Sequence, residues 1–280
     1  MPMRICVLIS CFAIFAGGVH ADPLRVNGST TVNPIVSEAA EMLRESEKLE
    51  IQVDTQGGSS GGIHALGEGR ADMAMSSRAL HDEDHKRHAK ADFHAHRIGF
   101  DAVALVVSKD VWQSGVKSLS QSQMRRIYER KARKWSDFGG PDRRIAFFNK
   151  EPGRGTWEVF ADWLYGSAAK TPSIAHLEVG SNEETRAKVA GTRGAISQLS
   201  ASWVDQQKLF ALGIKDAEGH IHQPDAKSLA SGDYPLGRSL WVITDGPPTG
   251  SAKVLIDFLL SDDGQALVKK HGYLALDDHD

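Results

Sequence analysis

Apolar residues change their spacing from one segment of the chain to the next. Residues 24–27 and 51–55 are short runs with apolar or β-branched residues at alternate positions, which predicts strands. Between them Ile35, Ala39, Met42 and Leu43 recur at helical spacing, with charged residues on the other side. Residues 102–107 are apolar throughout, which predicts a buried strand, and 145–148 and 240–244 read similarly. Further helices are predicted at 156–165, 183–189 and 252–260, with turns at Gly139-Gly140-Pro141-Asp142 and Gly246-Pro247-Pro248. Strands alternating with helices predict an α/β fold. No Pro-, Gly- or Ser-rich tether divides the chain, so two lobes would be joined by strands, with crossings expected around 98–102 and 234–241.

The first residues have a different character. Arg4 precedes an apolar run over 5–16, and small residues including Val19 and Ala21 follow, which predicts a secretory leader cut after Ala21. The run is shorter than the roughly 20 residues that span a bilayer. Leu8-Ile9-Ser10-Cys11 also fits a lipoprotein cleavage box, the alternative reading of this segment. Cys6 and Cys11 both lie inside the leader, so the mature chain is expected to have neither disulfide nor thiolate chemistry. It would keep 259 of 280 residues, with 32 Lys and Arg (33 less Arg4) against 36 Asp and Glu, a net charge of −4. That balance disfavours nucleic acid as a partner and requires any anion site to be local.

One chemical feature recurs. Gly28-Ser29-Thr30-Thr31 follows a predicted strand and opens a helix, with Pro34 near its first turn. Gly57-Gly58-Ser59-Ser60-Gly61-Gly62 does the same after the next strand, and Gly153-Arg154-Gly155-Thr156 after a third. A helix start offers unpaired N–H groups and the positive end of the peptide dipole; glycine lets an anion approach, and hydroxyls add donors. A single such loop is only a helix cap. Three converging in space would form a cage for a small anion. Ser76-Ser77-Arg78 adds two hydroxyls and a guanidinium, or else is a strand end leading into a solvated helix. Micromolar binding needs about 8 kcal/mol, and hydrogen bonds to a charged group contribute about 1.5–3 kcal/mol each. A few donors therefore suffice.

These segments, in this order, resemble the phosphate ABC-transporter substrate-binding proteins. Gly194-Ala195-Ile196, Tyr234-Pro235-Leu236 and the stretch from Leu260-Ser261 to Gly272-Tyr273-Leu274 are similar too, so the resemblance covers essentially the whole mature chain. It implies a two-lobed type II periplasmic binding protein fold, each lobe a mixed sheet flanked by helices and closing on the anion by a hinge. It implies a periplasmic monomer that delivers inorganic phosphate or a similar oxyanion to an ABC permease in the inner membrane, without cofactor or catalysis. The lobes are expected at 22–100, 101–233 and, returning to the first, 234–280. By position, the implied donors are Ser29, Thr30, Thr31, Ser59, Ser77, Gly155 and Thr156; Arg78 and Arg154 supply charge. Where the family often has Arg and Ser this chain has Lys150 and Arg154, and Ser77 stands where some members place an Asp that accepts a phosphate proton. Asp101 or Glu151 could replace that acceptor, or be ordinary salt-bridge residues.

Other readings compete. Gly57-x-Ser59-x-Gly61 matches the nucleophile elbow of α/β-hydrolases, with Asp257 and His271 following in the chain, although few strands precede it. His81, His85, His88, His94 and His96 beside Asp82 and Asp84 could present imidazoles to a metal, or form a solvated helix face; no closed ligand set is evident. The same fold could serve as an anion sensor or scavenger without a permease. Trp135, Trp157, Trp163 and Tyr165 are expected to pack rather than bind ligand.

Overall fold

The structure, a computed structural model, describes residues 22–278. The leader expected at 1–21, with Cys6 and Cys11, lies outside the described residues. The described residues form eleven strands: β1 (Leu24–Gly28), β2 (Ile51–Asp54), β3 (Met73–Ser76), β4 (Phe93–Ser108), β5 (Ser118–Ser120), β6 (Ala146–Lys150), β7 (Leu177–Val179), β8 (Ala195–Ser200), β9 (Leu209–Lys215), β10 (Ile221–His222) and β11 (Gly237–Asp245). They run in the order β2-β1-β3-β11-β4-β8-β6-β7, with β9 also on β4 and carrying β5 and β10. Parallel pairs (β1 with β2 and β3, β6 with β7 and β8) alternate with antiparallel ones around β4 and β11, giving the mixed sheets expected.

β4 organises the molecule. From Phe93 to Ala102 it pairs with β11; from Val103 onward it pairs with β8, and from Leu105 with β9. One continuous strand thus serves both lobes, and residues 98–108 are buried without interruption. The apolar run over 102–107 follows from cover on both faces rather than one.

Each lobe has its own core. In the first, Ile35, Val36, Ala39 and Leu43 of helix Asn33–Glu47 pack with Leu255, Ile256 and Leu259 of helix Gly250–Leu260 and with Val268 of helix Asp262–Lys270. The end of the chain therefore belongs with its beginning. Met42, counted into the helical stripe from its spacing, is 38% exposed; the buried stripe runs through Val36 and Ala40 instead. In the second lobe Phe160 and Leu164 of helix Gly155–Tyr165 join Leu105, Met124, Trp135 and Ile196. Burying each large apolar side chain contributes about 1.5–3 kcal/mol. Trp135 is a packing anchor as expected, fully buried with Nε1 donating to the Gly194 carbonyl at 2.9 Å.

Candidate functional site

Loops from the two lobes meet at one small cavity. β1 ends at Gly28, whose backbone (φ +143°) lies so close to β3 that a Cβ would sit 2.1 Å from the Met75 carbonyl oxygen. The chain then turns, Ser29 Oγ accepting the Thr31 amide at 3.1 Å and the Val32 amide at 3.4 Å, and enters helix Asn33–Glu47. Helix Gly58–Gly67 starts after Gly57 and carries Ser59 in its first turn. Across the cleft, Gly155 begins helix Gly155–Tyr165; a Cβ on it would lie 2.6 Å from both Ser59 Oγ and Ser77 Oγ. Any larger residue would push both hydroxyls aside. None of these three helices has a side-chain cap, whereas Ser120, Ser181 and Ser261 cap helices elsewhere. Three helix starts thus bring positive dipole ends to one place, although in helix Asn33–Glu47 the Asn33 and Ile35 amides are already held by the Ser29 and Val32 carbonyls and Pro34 has none.

The cavity measures about 10 Å³, near the lower limit for one water-sized group, so the lobes are almost closed on one another. Of the residues expected from sequence, Ser29, Thr30, Thr31, Ser59, Ser77, Arg154, Gly155 and Thr156 line it, with Gly58, Lys150, Gly180 and Asn182. A much larger groove of about 860 Å³ lies beside Arg25, but that arginine is paired with Asp72, so size does not locate the anion site.

Arg78, expected among the ligands, is a correction. Its guanidinium turns away from the cavity to Asp84 (2.7 Å) and Glu158 (2.6 Å), and its Nη2 donates to Ser60 Oγ at 2.8 Å. With two carboxylates on it, Arg78 is not among the residues that line the cavity. The two candidate proton acceptors are also occupied. Asp101 accepts from Arg238 through Oδ2 and from Ser200 through Oδ1, and Glu151 accepts from Arg154 at 3.1 and 2.8 Å. Neither lines the cavity.

The residue that the loop pattern missed is Arg238, on β11, which does not itself line the cavity but binds the hydroxyls of residues that do. Its Nε and Nη2 fork onto Asp101 Oδ2 at 3.0 and 2.7 Å, and both side chains are 2% exposed. From that anchor Nη1 donates to Thr156 Oγ1 (2.9 Å) and Ser77 Oγ (3.2 Å), while Nη2 donates to Thr31 Oγ1 (3.2 Å). Asn182 Nδ2 adds a second donor to Thr31 Oγ1 at 3.1 Å, and the Ser77 amide donates to Ser59 Oγ at 3.1 Å. A hydroxyl whose lone pairs are engaged must point its proton elsewhere. Arg238 therefore biases the hydroxyls of both lobes to act as donors. Burial pushes the Asp101 carboxyl above its ordinary value, and the Arg238 charge works against that rise.

Lys150 supplies a second buried cation. Its Nζ donates to the Gly180 carbonyl (3.0 Å), the Ser181 carbonyl (2.7 Å) and Asn182 Oδ1 (3.2 Å). Burial, with the Arg154 and Arg238 charges nearby, pushes its ammonium down to about 7. Arg154 lines the cavity, but its charge is shared with Glu151.

The rival readings lack geometry. Ser59 Oγ has Ser77 as its partner, whereas Asp257 pairs with Lys253 and His271 with Glu38. His81 Nδ1 lies 3.5 Å from Glu158, His94 binds Asp92, His88 binds His64 and the His85 ring packs on Phe93. Among the described residues no group of three or more metal-binding side chains assembles, and no helix is long and apolar enough to cross a membrane.

Comparison with known proteins bears on the fold and the family. A family model described as the PBP superfamily domain matches residues 16–263. A phosphate-binding protein PstS of Bacillus subtilis is 30% identical over 91% of this chain and 81% of its own. A Clostridium perfringens structure described as a phosphate ABC transporter substrate-binding protein with bound phosphate superposes with a TM-score of 0.80 at 26% identity, covering 91% of this chain and all of its own. A Vibrio cholerae ABC-type phosphate transport receptor gives 0.71 at 26% identity, covering 90% and 99%. A closed two-lobed fold, three uncapped helix starts at one cavity and similarity along nearly the whole chain lead to one assignment: this protein belongs to the PBP superfamily and, within it, to the PstS family of phosphate-binding proteins.

Proposed function

We propose that this protein captures inorganic phosphate between its lobes and delivers it to an ABC importer. The observation that carries this reading is the meeting of Thr31 and Thr156, from opposite lobes, on the single guanidinium of Arg238 beside three uncapped helix starts. In this reading Ser29, Thr30, Thr31, Ser59, Ser77, Gly155 and Thr156 donate to the anion through hydroxyls and amides. Arg238, Lys150 and Arg154 balance its charge. The named relatives are binding and transport proteins, and we infer the same non-catalytic role here. The leader at 1–21 directs the chain out of the cytoplasm, and the mature protein acts as a monomer opposite an inner-membrane permease. The lobe division at 22–100, 101–233 and 234–280 is supported by the exchange of β4 partners at Ala102 and Val103.

No carboxylate lines the cavity among the described residues. The P–OH of hydrogen phosphate therefore meets no charged acceptor there, and sulfate, which has no such proton, is the competitor that matters. The test is a calorimetric panel of phosphate, sulfate, arsenate, molybdate and tungstate at two pH values. Saturable phosphate binding is expected; its absence, with the protein folded, would end this reading.

A further inference from the structure

A second cleft lies on the second lobe at the far end of β6 from Lys150, four residues or ~13 Å along the strand. It measures about 400 Å³, within the range of small-molecule sites. Its floor is apolar, including Ile145, Phe147 and Leu177; Leu177 is 57% exposed, the most exposed large hydrophobic among the described residues. Its rim carries Arg130, Arg133 and Arg144, together with Lys134. Lys134 is paired with Asp142 at 2.7 Å, and no acidic residue lines the cleft.

The charge is concentrated here against the trend of the molecule. Residues 125–134 contain six Arg and Lys and one acid, Glu129, in a chain of net charge −3, and of the six Arg130, Arg133 and Lys134 line the cleft. Glu129 is held by Lys131 and Tyr165 rather than by the rim. Arg130 and Arg133 spend single donors on the carbonyls of Ala175 and Arg130. The Arg144 side chain has no hydrogen-bond or ion-pair partner among the described residues. The floor is firm: Phe147 packs edge-on to the His176 ring at 4.9 Å, and burial followed by the Arg130 charge pushes His176 down to about 4, so it adds no further charge at neutral pH.

We propose that this cleft is a separate binding site for a small amphipathic anion, a carboxylate or sulfonate on an aromatic body. Guanidinium forks match a planar carboxylate or a sulfonate, and they also stack on aromatic faces. The apolar floor would bury the ring. A small inorganic anion would leave Phe147 and Leu177 uncovered, and a neutral apolar molecule would leave three arginines without a counter-charge.

The proposal is tested on the purified protein with naphthoate and anilinonaphthalene sulfonate, followed by calorimetry and by fluorescence. One saturable transition below about 1 mM is expected, unchanged by saturating phosphate. Arg144→Glu and Arg133→Glu, both at exposed positions, should each weaken it at least about tenfold while leaving phosphate binding and thermal melting as in the parent. Naphthylmethylammonium, of the same shape with the opposite charge, should not bind. Equal binding of that cation, displacement by phosphate, or unchanged affinity in both variants would overturn the proposal. So would sedimentation of the protein with phosphatidylglycerol vesicles without saturable naphthoate binding, which would assign the patch to a membrane surface.

Discussion

Arg238 Nη1 lies 2.9 Å from Thr156 Oγ1, although the two residues belong to opposite walls of the cleft. The same guanidinium reaches Thr31 and is held from behind by Asp101. A cation held by a buried carboxylate thus joins hydroxyls from both walls directly behind the cavity.

That arrangement separates binding from folding. Removing Arg238 alone strands a buried Asp101, and breaking a buried pair costs about 3–5 kcal/mol of stability. Replacing both partners by neutral groups removes the stranded charge. Arg238→Met should therefore lower the melting temperature markedly, and the double variant Arg238→Met, Asp101→Asn should recover most of it. Phosphate affinity should stay at least about 100-fold down in both, because a charged hydrogen-bond partner contributes about 1.5–3 kcal/mol and the hydroxyls lose their orientation as well. Calorimetry and thermal melting distinguish the two effects. Recovery of phosphate binding in the double variant would remove Arg238 from the site.

The hydroxyl donors form the second test. Thr30→Ala, Ser59→Ala and Thr156→Ala should each weaken phosphate binding by about 10- to 100-fold, the equivalent of one hydrogen bond to a charged group, with the fold intact. From sequence, Arg154→Ala is expected to cost more than any of these, since a charge-assisted bond is lost. The Glu151 contact changes that order: Arg154 already shares its charge with a carboxylate three residues away, on the cleft rim. Its loss should cost no more than a hydroxyl, and Arg238 becomes the costliest position. A binding series on the four variants checks the ranking.

Much of this was legible before any coordinates. The loop-then-helix recurrence brought out Ser29, Ser59 and Gly155 because uncapped helix starts leave a local trace: glycine and hydroxyls where a cap would stand. Pairwise tertiary contacts leave no such trace. Arg78 follows two serines and reads as part of the site, yet Glu158, eighty residues later, claims its charge. Arg238 did leave a signal. On a strand reading Gly237-Arg238-Ser239-Leu240-Trp241-Val242, it shares a face with Leu240 and Val242, which are core residues. A lone cation on an inward face calls for a buried anion, and Asp101 stood in the other expected crossing.

The Arg78 contact has its own consequence. Arg78 is 3% exposed and Glu158 9%; they lie on opposite lobes and share Ser60, whose Oγ donates to Glu158 Oε1 at 2.7 Å. This contact bridges the two lobes away from the residues that line the anion cavity. Glu158→Gln keeps the shape and removes the charge, while Asp84 keeps Arg78 paired. The variant should favour the open form: a larger radius of gyration by X-ray scattering without phosphate, and the parent value once phosphate is saturating. Identical scattering curves for parent and variant without phosphate would show that the pair does not bias closure.

Lys150 gives the cleft a pH dependence whose sign can be worked out. Its ammonium is lowered in the fold from 10.5 to about 7, so between those values the unfolded chain holds a proton that the folded chain lacks. This group's contribution to stability therefore rises with pH from about 7 to 10.5 and is smallest below 7. A bound dianion favours the charged form and raises the lysine's value again. Binding must then take up protons at pH 8, and affinity must fall as pH rises from 7.5 to 9, by at most about tenfold per unit for a single group. Calorimetry in buffers of different ionisation enthalpy should report that uptake. Lys150→Gln should bind more weakly with a flatter pH profile, and uptake undiminished in that variant would place the titrating group elsewhere.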